Sequence, residues 1–86
     1  MSDNQPYVDN IWSTLIASKR GDCEINESDE KMLRADISNK LDAHWTTGEV
    51  TRYLRYTEYF DNVSDEDYCL KRMREIAESV KERLGK

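Results

Sequence analysis

The residues of this chain suited to covalent or metal chemistry are few: Cys23, Cys69 and a single histidine, His44. A thiol nucleophile needs a base and an orienting group beside it. Cys69 falls on an apolar stripe, and Cys23 sits in an acidic loop that disfavours the thiolate. Cys23, Cys69 and His44 together could make three zinc ligands, but their spacing matches no zinc motif. The acidic run at 61–67, DNVSDED, invites a calcium reading. It fails the EF-hand template, because Val63 takes a ligand position and the required Gly and distal Glu are missing. No glycine-rich phosphate loop is present. The expectation is therefore a non-enzymatic protein with no cofactor and no metal site.

Chemistry of recognition is better represented. The twenty residues 41–60, LDAHWTTGEVTRYLRYTEYF, hold Trp45, Tyr53, Tyr56, Tyr59 and Phe60, five of the eight aromatic side chains. On a helix at 100° per residue, Val50, Tyr53, Leu54, Thr57 and Phe60 share one arc, which is the core face. Arg52, Arg55, Tyr56 and Tyr59 fall on or near the opposite arc. Tyr and Arg are enriched at interface hot spots. These four residues are the candidate partner-binding face. The competing reading lays the Tyr56 and Tyr59 rings sideways on neighbouring helices, since tyrosine is often intermediate in burial.

Helical elements must position that face. Thr46 and Glu49 fit a capping box, and Trp45 with Val50 occupies the positions of a hydrophobic staple. They predict a tight turn and a helix over 47–60. Upstream, Val8, Ile11, Trp12 and Leu15 make an i, i+3, i+4, i+7 stripe with Ile16 beside it, and Pro6 suits a first helical turn. That predicts a helix over 6–18 after a frayed 1–5. Gly21 breaks the chain in a loop, where Arg20-Gly21-Asp22 reads as a polar turn. Ser28 is the expected N-cap of a second helix over 29–45, with Leu33, Ile37 and Leu41 inward and His44 half-buried at its end. Ser64 is the expected cap of a fourth, over 65–84, with Val63 and Tyr68 as a second staple. Its stripe is Cys69, Met73, Ile76, Ala77, Val80 and Leu84, and Lys71–Glu75, Arg74–Glu78 and Glu82–Lys86 are candidate i, i+4 pairs. The fold class is all-α: one domain, a compact bundle of four helices with short connections.

Composition agrees. Three glycines and one proline are too few for the turns of an all-β fold. Thirteen basic and eighteen acidic residues give a net charge of −5. Residues 1–30 carry two basic and seven acidic side chains, so the N-terminal third is the most acidic part. No region is strongly basic, which disfavours a nucleic-acid partner. There is no basic n-region with an apolar h-region, and no apolar run of membrane-spanning length. Two cysteines are too few for a disulfide framework, and a reduced cytoplasmic setting is expected.

Two functions follow. The first is an acidic protein-interaction module (an inhibitor, adaptor or regulatory subunit) that binds a protein partner through Arg52, Arg55, Tyr56 and Tyr59, and whose acidity suits mimicry of nucleic acid. The second is a helix-turn-helix DNA reader using the second and third helices, with Arg52 and Arg55 toward bases and Thr47 and Thr51 near phosphates. Residues 41–60 contain three acids against two basic side chains, which weighs against the second. A homodimer through the basic half of the fourth helix would repair that balance.

Overall fold

The computed structural model describes residues 4–19, 24–61 and 65–85. They form four helices: α1 Gln5–Ala17, α2 Glu27–Asp42, α3 Thr47–Arg55 and α4 Glu66–Leu84. No strand occurs among the described residues. The all-α bundle expected from helical periodicity is the observed fold.

α3 is the shortest helix, at nine residues, and the most central. It packs against α1, α2 and α4, whereas α4 meets only α3 among the described helices. The main core is therefore built by three helices. Val8, Ile11, Trp12 and Leu15 of α1 meet Leu33 and Ile37 of α2, Val50 and Leu54 of α3, and Phe60 beyond it. Trp12 and Phe60 meet edge to face, with centroids 5.8 Å apart. Each fully buried aliphatic side chain here contributes about 1.5–3 kcal/mol. α4 adds Cys69, Ile76 and Val80, which are buried. Their 4- and 7-residue spacing keeps them on one face.

The helix ends depart from expectation in instructive ways. Asn4 Nδ2 donates to the Ser38 Oγ at 3.0 Å and to an Asp42 carboxylate oxygen at 3.0 Å, tying α1 to α2. The N-cap of α2 is Asn26, whose side chain accepts the Asp29 N–H at 2.8 Å. Ser28 lies inside the first turn instead. Asn and Ser are equivalent caps, so composition did not separate them. α4 is capped by Asp65, which accepts the Tyr68 N–H at 3.0 Å. Ser64, the Val63 staple, the 20–22 tripeptide, Cys23 and Lys86 lie outside the described residues.

α2 ends at Asp42 rather than at residue 45 because His44 takes φ +73°, the left-handed region. The His44 N–H donates to the Leu41 carbonyl at 3.0 Å and the Trp45 N–H to the Lys40 carbonyl at 3.1 Å. This is a Schellman motif with histidine at the position that usually holds glycine. His44 is exposed, not half-buried as its place on the wheel implied. The turn then leads into α3 through the expected capping box. Thr46 Oγ1 accepts the Glu49 N–H at 3.2 Å, and Glu49 Oε1 accepts the Thr46 N–H at 2.8 Å.

Candidate functional site

α3 stops at Arg55, five residues before the expected end, with Tyr56 as its C-cap. The Thr57 N–H and Thr57 Oγ1 both donate to the Leu54 carbonyl, at 3.0 and 2.7 Å. Thr57 then accepts the Phe60 and Asp61 N–H groups on its own carbonyl, at 3.1 and 3.0 Å. The chain turns tightly and drops Phe60 into the core, 1% exposed. Helical angles therefore do not apply past Arg55. Tyr59, expected on the outer arc, is half-buried and packs against the core cluster. It leaves the candidate face.

The other three candidates stay together. Arg52, Arg55 and Tyr56 line one cleft of about 210 Å³ with Ser18 from the end of α1, Phe60, Asp61 and Arg72 of α4. Arg52 and Arg55 are exposed and Tyr56 is half-buried. Among the described residues neither Arg52 nor Arg55 makes an ion pair. An adjoining recess shares Arg52 and Arg72 as walls and adds Glu49, Glu75 and Ser79.

Arg72 and Tyr68 are the members that sequence reading missed. Arg72 stands outside the apolar stripe expected for α4. It lies three residues after Cys69 and four before Ile76, both buried, and that spacing puts it at the margin of the packed arc. Its guanidinium lies 5.9 Å from the centre of the Tyr56 ring. Tyr68 meets the same ring edge to face at 6.2 Å. One Arg72 terminal nitrogen donates to Glu75 at 2.9 Å, replacing the expected Lys71–Glu75 pair. The Tyr56 phenol, and after it Glu75, raise the Arg72 pKa, so the group stays charged. Arg72 Nε is shut off from solvent and finds no acceptor among the described residues.

Three arginines and Tyr56 thus line one cleft between α3 and α4, with Tyr68 against the Tyr56 ring. Arginine forks bind carboxylates and phosphates in a bidentate manner, and the Tyr56 ring packs against that of Arg72. Among the described residues, no group of three or more His, Cys, Asp or Glu is arranged to hold a metal ion. No described helix is long and apolar enough to cross a membrane. No protein-family model, curated protein or solved structure matches this chain.

Proposed function

We propose that the protein is a non-enzymatic interaction module that docks a protein partner through the surface around Arg52, Arg55 and Tyr56, extended by Arg72 and Tyr68. The observation that carries this reading is the convergence of three arginines on one cleft, two of them without a carboxylate partner among the described residues. A fold gains little from holding like charges together, because near the surface they repel. A partner that brings negative charge reverses the sign of that interaction. The rings of Tyr56 and Tyr68 supply amphipathic area at the same place. The helix-turn-helix reading has its α2–turn–α3 order, but no observed feature adds to it.

Capture from the native lysate tests the proposal, with nuclease added throughout. The wild-type chain, Arg52→Ala/Arg55→Ala and a control Lys31→Ala on α2 are compared after far-UV circular dichroism shows equal helicity. Docking through the cleft requires a discrete protein that the double variant loses by at least tenfold and the control retains. Equal capture by all three chains, or capture abolished by nuclease, refutes it.

A further inference from the structure

We infer that the cleft bounded by Arg52, Arg55 and Arg72 is a receptor for a phosphomonoester dianion carried on a side chain of the partner protein. This rests on the docking reading above and specifies its ligand. At about 210 Å³ the cleft is smaller than the ~300–1,000 Å³ of sites that enclose whole small molecules, so it suits a single functional group. The formal charges lining it are three arginines against Asp61, a net +2 that Glu75 beside Arg72 reduces to +1, and a phosphate monoester brings about −1.5 to −2. A carboxylate has two oxygens to offer three guanidinium forks, whereas a phosphate monoester has three terminal oxygens. Clusters of arginine are the general means of reading such groups on proteins.

Details of Arg72 fit the same ligand. Glu75 engages one terminal nitrogen from outside the cleft and Tyr56 packs against the guanidinium, so its orientation is fixed in advance. Protein-borne phosphate fits better than a nucleic-acid backbone. Duplex DNA presents a charge about every 1.7 Å and requires a run of cations. This molecule carries a net charge of −5.

The test follows the arginine Nε–Hε NMR signals of the full chain during titration with inorganic phosphate, with chloride holding ionic strength constant and acetate as a parallel arm. Saturable shifts of Arg52, Arg55 and Arg72 are expected, with Arg34 and Arg83 unmoved. Affinity for phosphate should exceed that for acetate by at least tenfold, and Arg55→Ala should remove most of it. Linear shifts shared by all seven arginines, or equal response to acetate, overturn the inference. Phosphatase treatment of the lysate before capture identifies the source. Loss of an Arg52-dependent partner supports protein-borne phosphate. A partner that still needs Arg52 after dephosphorylation upholds docking and overturns the phosphate ligand. If no Arg52-dependent partner exists, docking fails, and protein-borne phosphate fails with it even where the cleft takes free phosphate.

Discussion

Glu49 and Arg83 face each other in a two-pronged ion pair. Arg83 Nε donates to Glu49 Oε2 at 3.0 Å, and an Arg83 terminal nitrogen donates to Glu49 Oε1 at 2.7 Å. The same nitrogen donates to the His44 carbonyl at 2.7 Å. Glu49 is also the carboxylate of the capping box. One side chain therefore closes the N-terminus of α3 and anchors the last turn of α4 to it. Among the described helices α4 meets only α3, and this pair and the Tyr56–Tyr68–Arg72 cluster tie α4 to it near its two ends.

Two substitutions separate the duties of Glu49. Glu49→Gln can still cap the helix but offers Arg83 no charge, whereas Glu49→Ala loses both functions. The Ala variant is expected to cost about 1–2 kcal/mol and the Gln variant about half that, measured by urea unfolding at pH 7. Arg83 first, and the Thr46 backbone and side chain after it, lower the Glu49 pKa below its ordinary value of 4.5. A lowered carboxylate pKa stabilises the fold above the unfolded value, and that stabilisation is lost as pH falls through the folded one. Wild type should thus lose stability below pH 4.5, and Glu49→Gln should lose less over the same range. Parallel curves for the two proteins would rule out this coupling.

His44→Gly should raise stability. The left-handed conformation costs a non-glycine residue roughly 1–2 kcal/mol, and glycine adopts it freely. Its greater unfolded-state entropy offsets part of the gain, leaving about 0.5–1 kcal/mol. For a domain of this size that is a rise of about 2–8 °C in Tm, read by calorimetry. An unchanged or lower Tm would mean that the exposed imidazole makes a compensating interaction.

Adjacent residues in α1 should differ sharply. Leu15 is fully buried, at 0% exposure, while Ile16 is 45% exposed. Leu15→Ala should cost about 2–5 kcal/mol, a large share of the stability of a domain this small. Ile16→Ala should stay within about 0.5 kcal/mol. Chemical unfolding of the two variants side by side decides it, and similar losses would show that Ile16 is covered.

Tyr59→Ala should destabilise more than Tyr56→Ala, because Tyr59 packs against the core cluster and Tyr56 against Tyr68 and Arg72. The expected difference is about 1 kcal/mol or more, by the same unfolding measurement. The order of partner binding should be reversed, with Tyr56→Ala the weaker binder. A Tyr59 variant that folds normally and fails to bind would return that ring to the docking face.

Periodicity made the bundle legible, because Val8, Ile11, Trp12 and Leu15 admit only one helical face. The Thr46–Glu49 box was equally legible, since both partners lie within one turn. Helix ends were less so. Asn26 and Ser28 are both competent caps, and which one serves depends on packing that no local pattern encodes. The C-terminus of α3 was hidden for a related reason: Thr57 ends it through bonds to its own neighbourhood, in a stretch whose residue types suit a helix. That error carried Tyr59 to the wrong face. Arg52, Arg55 and Tyr56 were legible as a cluster because they precede or meet the break. Arg72 comes from another helix, and only the docking of α4 on α3 brings it to the cleft.

The most direct test of docking is site-specific photo-crosslinking in nuclease-treated native lysate. A photoreactive phenylalanine analogue replaces Tyr68, which is 52% exposed beside the cleft, or Met32 on α2, which is equally exposed. Docking at the cleft requires a discrete protein adduct at position 68, none at position 32, and its loss when Arg52→Ala is added. The same adducts at both positions, or an adduct at 68 that survives Arg52→Ala and Arg55→Ala together, would contradict it.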